Sequence, residues 1–210
     1  MVSLPRLCAI CDAEASARAG WTLVDVARAF LNGGARLVQV RAKGASSGWL
    51  LDASIAIVAA AREVHATVII NDRADVARLA GASGVHLGQN DLAPAAARAI
   101  VGDAIIGRST HTPDELNRAL SEPVDYVAIG PVFETATKAT GHAALGLARV
   151  ASAAAVTRPR GLPLVAIGGI TLDRAAEVVA SGADSVAVIS DLFTGGDPEA
   201  RVRAYVHALR

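Results

Sequence analysis

Short apolar runs alternate with alanine-rich stretches of helical periodicity eight times along the 210 residues of this chain. The apolar runs predict β-strands at 7–10, 37–41, 67–70, 84–87, 104–107, 126–129, 164–167 and 185–189. The alanine-rich stretches predict helices at 22–32, 48–64, 72–80, 93–100, 112–120, 146–157, 172–181 and 198–209. Such alternation is typical of a parallel sheet in an α/β protein. Eight pairs predict a (β/α)8 TIM barrel that forms one domain over residues 1–210, with its active site at the carboxyl ends of the strands. A doubly wound open sheet is the alternative architecture.

The composition disfavours several classes of partner. Lys and Arg together number 20, as do Asp and Glu, so no net charge attracts nucleic acid or an anionic membrane. Aromatic residues make up 3% of the chain, which leaves few rings to stack on bases. No apolar run approaches the length of a membrane span, and the first residues lack the pattern of a signal peptide. We therefore expect a cytoplasmic protein that acts on small molecules, with no nucleic-acid or membrane partner, and the sequence leaves open whether it forms a homo-oligomer.

The two cysteines, Cys8 and Cys11, form a CxxC motif within the first predicted strand. Side chains three positions apart on a strand point to opposite faces. We therefore expect both thiols in the buried core rather than together at a redox or metal site.

Acidic residues follow two consecutive predicted strands: Asp72 comes after VIIN, and Asp91 comes after GVHLGQN. An Asp between a strand and a helix is commonly an N-cap, and Pro94 near the start of the next helix favours that role for Asp91. The segments carry more polar residues than two caps need, namely Asn71, Arg73, His86, Gln89 and Asn90. Neighbouring parallel strands would bring both carboxylates to the same end of the barrel, where they could hold one hard cation.

Gln39, Arg41 and Lys43 alternate along the segment QVRAK and therefore share one strand face. Both faces of a strand are covered in a parallel barrel, so these side chains need either a ligand or a counter-charge. We favour a ligand. Two cations beside a metal site suggest a diphosphate, whose charge Arg and Lys would share with the metal.

The next two units supply further polar residues. Ser109 and His111 follow the fifth strand, where a helix cap is the alternative for Ser109 and Thr112, and a surface position is the alternative for His111. The longest loop of the chain follows Gly130, and we interpret residues 131–142 as a lid over the active site.

Glycines follow the seventh strand, and Ser190 follows the eighth. Gly168 and Gly169 would let the backbone approach a ligand, and the helix after them is expected to offer free N–H groups to an anion. An ordinary strand-to-helix turn would also explain the glycine pair. Their position matches the phosphate site that recurs in such barrels. The sequence therefore predicts two phosphate sites on opposite sides of one barrel mouth.

Five motifs in a fixed order resemble thiamine-phosphate synthase over nearly the whole chain: QVRAK, INDRADVARLAGASGVHLGQNDL, IIGRSTH, DYVAIGPVF with TATK, and AIGGI followed by AVIS. The resemblance implies a transferase of thiamine biosynthesis that joins 4-amino-5-hydroxymethyl-2-methylpyrimidine diphosphate to a thiazole phosphate, uses Mg²⁺, and releases diphosphate. It implies that Asp72 and Asp91 hold Mg²⁺ and that Ser109 faces the pyrimidine. The residues implied to bind the pyrimidine diphosphate are Gln39, Val40, Arg41, Ala42, Lys43, Asn71 and Lys138. Those implied to bind the thiazole phosphate are Thr135, Ala136, Thr137, Gly169, Ile189 and Ser190.

The likeness also implies a mechanism. The thiazole nitrogen has a lone pair, so no base is needed to create the nucleophile, and the leaving diphosphate needs charge neutralisation from Mg²⁺ and three cations, namely Arg41, Lys43 and Lys138. We expect a dissociative displacement in which Ser109 and Gln39 orient the pyrimidine ring.

The chain departs from the family pattern at Glu134, where a proline is usual, and at Arg108, where a small or apolar residue is common. Two alternative functions stay open. A thiazole tautomerase of the same barrel type would transfer protons through His86 or His111. A non-catalytic barrel that binds a phosphate ligand would keep the glycine site and would have no reason to keep the acidic pair.

Overall fold

The computed structural model describes residues 3–134 and 143–210. Within these residues, eight parallel strands pair in sequence order and β8 pairs with β1, so the sheet closes into a barrel. The closed barrel confirms the predicted (β/α)8 fold and rules out the open sheet. The strands are β1 (Leu7–Asp12), β2 (Leu37–Arg41), β3 (Thr67–Asn71), β4 (Gly84–Leu87), β5 (Ile105–Thr110), β6 (Tyr126–Ile129), β7 (Leu164–Ile167) and β8 (Ser185–Val188).

Helices surround this barrel. They are α1 (Ala13–Arg18), α2 (Leu23–Asn32), α3 (Ser47–Glu63), α4 (Ala74–Ala80), α5 (Pro94–Val101), α6 (Pro113–Ala119), α7 (Gly146–Thr157), α8 (Leu172–Ala180) and α9 (Pro198–Ala208), with 3-10 turns at Arg158–Arg160 and Ser190–Phe193. None of the helices in the described part of the chain has the length and apolar character to cross a membrane. The cytoplasmic location stays a prediction.

The sequence did not predict helix α1. It follows β1 directly, and the side chain of Asp12 caps it by accepting a hydrogen bond of 2.9 Å from the Ala15 N–H. With six residues, α1 is too short to show a full apolar period. Its cap places the Asp12 carboxylate at the carboxyl end of β1, which matters for the site.

Successive side chains along each strand point alternately into and out of the barrel, and they form two apolar layers. One lies inside the barrel and includes Ile10, Leu37 and Ile69, while the larger one fills the space between the strands and the helices. Cys8 belongs to the inner layer and Cys11 to the outer layer, which confirms that the two thiols point to opposite faces. Burial raises the pKa of the Cys8 thiol to about 12, so this thiol stays protonated at neutral pH.

The inner layer requires glycine where side chains from neighbouring strands cross. A Cβ at Gly107 would lie 2.0 Å from Cζ of Tyr126. The missing side chain at residue 107 therefore makes room for the Tyr126 ring, which stacks beside His86 with the ring centroids 5.5 Å apart. This places a phenol and an imidazole inside the barrel.

Gly84→Ala is expected to destabilise the barrel, because its Cβ would lie 2.1 Å from the Ile105 carbonyl oxygen in the paired strand. Overpacking of this kind costs about 2–3 kcal/mol of unfolding free energy. Gly48→Ala in helix α3 is the matched control, since its Cβ would meet no atom within 4 Å. That change should stabilise the protein by about 0.5 kcal/mol. Urea denaturation of both variants measures the difference, and equal stabilities would contradict the predicted crowding at Gly84.

Candidate active site

A cavity of about 510 Å³ is lined by residues at and after the carboxyl ends of the strands. The predicted site residues that line it are Gln39, Arg41, Asn71, Ser109, Gly169, Ile189 and Ser190. Val40 and Ala42 instead pack on the outer apolar layer, so only their backbone groups are available to a ligand in the cavity. The structure therefore brings most of the described candidates together at one barrel mouth, as the fold prediction requires.

Neither Asp72 nor Asp91 is a helix cap, so the capping interpretation is wrong for both. Helix α4 begins at Ala74 rather than at residue 72, and no side chain caps it. Asp72 has a left-handed backbone with φ of 66°, and its N–H donates to the His86 carbonyl oxygen at 2.8 Å. Asp91 Oδ2 accepts a 2.7 Å hydrogen bond from the Gly88 N–H and so closes a turn ahead of α5, which has no side-chain cap either.

The two carboxyl groups are in contact. Burial raises the pKa of Asp72, a hydrogen bond and the negative charge of Asp91 raise it further, and Lys43 lowers it. The Lys43 Nζ lies 3.5 Å from Asp72 Oδ2. Two half-buried carboxylates that face each other repel unless a proton or a cation lies between them.

This arrangement fits Mg²⁺. The described residues contain no cluster of three or more His, Cys, Asp or Glu side chains suited to a metal. Mg²⁺ needs no such cluster, because it is commonly held by one or two carboxylates together with water and substrate phosphates. Asp72 and Asp91 would be those two carboxylates, and Asp72 directly follows the lining residue Asn71.

Arg41 and Lys43 each have a protein counter-charge. Arg41 Nη1 donates to Oδ2 of Asp12, whose side chain is buried, while Lys43 pairs with Asp72. Asp12 was missed by the sequence analysis, although it is the acid that ends the first strand in LCAICD. With Asp91 included, two cations and three acidic side chains gather at this end of the cavity. Added positive charge would favour the binding of an anion there.

A buried hydrogen-bonded chain connects Ser109 to Tyr126 through His86. The His86 Nε2 lies 2.8 Å from the Ser109 Oγ, and the His86 Nδ1 lies 2.9 Å from the Tyr126 hydroxyl. Burial raises the pKa of Tyr126 well above its ordinary value, so the phenol stays neutral. All three side chains line the cavity, and the hydrogen bond with His86 fixes the position of the Ser109 hydroxyl there.

Thr112, not Ser109, caps the following helix. The Thr112 Oγ1 accepts from the Glu115 N–H at 3.2 Å in a capping box, so the capping alternative is confirmed for Thr112 and wrong for Ser109. His111 lines the cavity and is not a surface residue. Its Nδ1 donates to the Gly130 carbonyl oxygen at 2.6 Å, so Nδ1 carries a proton.

The glycines after β7 are required by the fold. Gly168 and Gly169 have φ of 105° and 62°, and the Phe133 N–H donates to the Gly168 carbonyl oxygen at 3.0 Å. A Cβ at Gly169 would lie 2.4 Å from the Glu134 carbonyl oxygen. The prediction that α8 offers free N–H groups is wrong for its first residue, because the Leu172 N–H donates to Asp191 Oδ2 at 3.2 Å.

Two arginines contribute in ways that the sequence analysis missed. Arg174 lines the cavity near the glycines, with its guanidinium carbon 4.5 Å from the Phe133 ring centroid. Arg108 lies on the opposite side of the β5 strand from the lining residue Ser109 and donates to the Gly88 carbonyl oxygen at 2.6 Å. It therefore supports the turn that carries Asp91. An isolated arginine in an amphipathic segment gives no sequence signal for either role.

Part of the predicted site lies outside the described residues. This holds for Thr135, Ala136, Thr137 and Lys138, and for the interpretation of the loop as a lid beyond residue 134.

The chain is similar to known proteins along most of its length. Residues 7–192 match the family model described as thiamine monophosphate synthase. The chain is 47% identical over 178 residues to a thiamine-phosphate synthase of Anaeromyxobacter dehalogenans, covering 84% of this chain and 78% of that protein. It is 41% identical over 211 residues to a thiamine-phosphate synthase of Koribacter versatilis, covering 99% of this chain and 97% of that protein. The solved thiamine phosphate pyrophosphorylase from Pyrococcus furiosus superposes with a TM-score of 0.87 at 30% identity, covering 97% of this chain and 95% of that chain.

Asp91→Asn should lower the pKa of the Asp72 carboxyl, because it removes the negative charge of Asp91. Lys43→Met should raise the same pKa, since Lys43 lowers it. NMR titration of the Asp72 carboxyl carbon without divalent cations measures both effects. An unchanged Asp72 pKa in Asp91→Asn would contradict the contact between the two acids.

The raised pKa of Asp72 also affects stability. Between its unfolded and folded pKa values the folded state binds more protons, so this carboxyl lowers the unfolding free energy as the pH rises through that window. The loss at Asp72 should be smaller in Asp91→Asn. Urea denaturation across this pH range provides the measurement.

Proposed function

Because the chain belongs to the thiamine-phosphate synthase family of transferases, we propose that it couples 4-amino-5-hydroxymethyl-2-methylpyrimidine diphosphate to a thiazole phosphate. The products are thiamine phosphate and diphosphate. One observation carries the proposal: a single cavity has an end with paired acids and cations near Asn71, and a second end at the glycine turn and Ser190. Such a cavity suits two phosphorylated substrates that must meet between its ends.

The diphosphate would lie at the end formed by Arg41, Lys43 and Asn71. Mg²⁺ held by Asp72 and Asp91 would supply positive charge for the diphosphate oxygens. Arg41 would donate to the same oxygens while Asp12 fixes its guanidinium, and Lys43 would add a mobile charge from the exposed side. By resemblance, Lys138 and the segment 135–137 would complete this end and the neighbouring thiazole site.

The pyrimidine ring would lie between the two ends, near Gln39 and Ser109. Both residues line the cavity and both are buried. The Ser109 hydroxyl is held by His86, so it can orient a ring nitrogen or amino group with little loss of side-chain entropy. The apolar inner layer below, with Ile10 and Leu37, limits water near the reacting carbon.

The reaction needs few proton transfers. The thiazole nitrogen donates its lone pair to the pyrimidine methylene carbon, the bond from that carbon to the diphosphate oxygen breaks, and diphosphate leaves with the electron pair. The aminopyrimidine ring can stabilise positive charge at the methylene, so bond breaking runs ahead of bond making. The catalytic contribution of Arg41, Lys43 and Lys138 is to neutralise charge on the leaving diphosphate.

A thiazole tautomerase is the second candidate function, and His111 favours it. The Gly130 carbonyl oxygen accepts a hydrogen bond from Nδ1 of His111, which orients the ring in the cavity wall. Such a histidine could move a proton on a thiazole. The acidic pair has no role in that reaction, which is why we place coupling first.

The direct test is to incubate the protein with both phosphorylated substrates, with and without Mg²⁺, and to measure thiamine phosphate and released diphosphate. We expect equal amounts of the two products, and only when Mg²⁺ is present. Isomerisation of the thiazole without the pyrimidine substrate would support the tautomerase instead. Saturable ligand binding with neither reaction would identify a binding barrel.

Asp72→Asn and Asp91→Asn should each lower kcat by on the order of 100-fold at limiting Mg²⁺, corresponding to about 3 kcal/mol of barrier height. Both should raise the Mg²⁺ concentration needed for half-maximal activity. Asp75→Asn is the matched control, because this acid lies in the first turn of α4 and pairs with Arg73 at the surface. Wild-type turnover in either site variant at limiting Mg²⁺ would remove that carboxylate from the proposed metal site.

A further inference from the structure

Asp191 joins three separate segments around the end of the cavity that is formed by the glycine turn and Ser190. It directly follows Ser190, and its Oδ2 accepts hydrogen bonds from the Tyr205 hydroxyl at 2.5 Å and from Arg201 Nη2 at 2.7 Å. The same oxygen accepts from Arg201 Nε at 3.1 Å and from the Leu172 N–H at 3.2 Å. Asp191 itself lines the cavity. The contacts therefore connect α9, the start of α8 and the turn after β8.

The partners of Asp191 also contact each other and the backbone after β7. Tyr205 is fully buried, and its hydroxyl also lies 3.4 Å from the Ile170 carbonyl oxygen. Arg201 lies beside the Tyr205 ring, with 5.8 Å from the guanidinium carbon to the ring centroid. Ile170 follows Gly169 directly. The single hydroxyl proton of Tyr205 goes to the nearer acceptor, Asp191 Oδ2, while the ring lies against the backbone that follows Gly169. Asp191 in turn holds the start of α8 through the Leu172 N–H.

We propose that Asp191, Arg201 and Tyr205 form a clamp that positions the Gly169 and Ser190 segments for the phosphate of the thiazole substrate. This proposal rests on the proposed function. None of the three side chains acts on the reacting atoms. They are positioning residues, which hold two backbone segments at the spacing that one phosphate requires.

The clamp also solves an electrostatic problem. A carboxylate that lines a phosphate site repels the ligand unless a cation neutralises it. Arg201 pairs with Asp191 through two nitrogens, so the negative charge is compensated within the protein. Removal of Arg201 should therefore harm phosphate binding in a way that removal of the Asp191 charge can repair. A contact that serves only stability would not behave in this manner.

The test compares four variants. Tyr205→Phe keeps the ring and removes one hydroxyl, Arg201→Gln exposes the Asp191 charge, and Arg201→Gln with Asp191→Asn removes that charge again. Arg203→Gln is the matched control, because Arg203 lies on the same helix and pairs with Glu199 at the surface. Thermal unfolding of each variant establishes that the barrel is intact at the assay temperature.

We expect Arg201→Gln to raise the KM for thiazole phosphate about tenfold, and Tyr205→Phe to raise it about threefold to fivefold. The KM for pyrimidine diphosphate should change by less than about twofold, since the clamp does not contact that end. The double variant should bind thiazole phosphate more tightly than Arg201→Gln does. Arg203→Gln should match the wild type.

Equal increases in both KM values, or a double variant weaker than Arg201→Gln, would overturn the clamp. Calorimetric titration with thiazole phosphate, in the absence of pyrimidine diphosphate, separates this outcome from failure of the proposed function. If the wild type does not catalyse coupling, inorganic phosphate serves as the probe and the same order of affinities is expected. Coupling by the wild type with unchanged phosphate affinity in all variants would leave the enzyme assignment standing and remove the clamp.

Discussion

Burial of polar groups inside a closed parallel barrel is the constraint on which this site depends. Closure of the barrel directs alternate side chains inward, where water cannot hydrogen-bond to every polar group. Each of these groups therefore needs a hydrogen-bond partner within the protein. His86 meets this requirement by contacting Ser109 and Tyr126 at once, and Gly107 leaves the room for the Tyr126 ring. The inner layer is thus both core and ligand surface. Its hydrogen bonds fix side-chain positions before any substrate arrives, which reduces the entropy lost on binding.

The fold could be predicted from the sequence because hydrophobic periodicity is local information. Eight apolar runs with intervening helices were sufficient to indicate the barrel, and the alternation within LCAIC placed the two thiols on opposite faces. Helix α1 was not predicted, because its six residues are too few to show a hydrophobic periodicity. The capping interpretation of Asp72 failed because the backbone at this residue turns left-handed, so that α4 begins at Ala74, and a sequence pattern does not reveal one residue's φ.

The site was predictable only where chemistry lies in a contiguous motif. QVRAK and the acids after consecutive strands show their character within a few residues, whereas the partners of Arg41 and Asp191 are distant in sequence. Asp12 lies 29 positions from Arg41, and Leu172 lies 19 positions from Asp191. Such pairs form because the barrel brings strand ends together, and their identity depends on rotamers and loop paths. The polar residues of one motif can thus indicate a ligand site, whereas the sequence does not reveal which distant residues hold them in place.

Two departures from the family pattern become intelligible once their surroundings are known. Arg108 points away from the cavity, where the Gly88 carbonyl oxygen and Glu122, 3.6 Å from its Nε, satisfy its buried guanidinium. Its hydrogen bond supports the turn that ends at Asp91. Glu134 does line the cavity, and its carboxylate would oppose a nearby phosphate. Arg174 lines the same cavity and stacks on Phe133, the residue before Glu134. The cavity wall at this position therefore carries charges of both signs, so a nearby phosphate would meet an attracting arginine as well as a repelling carboxylate.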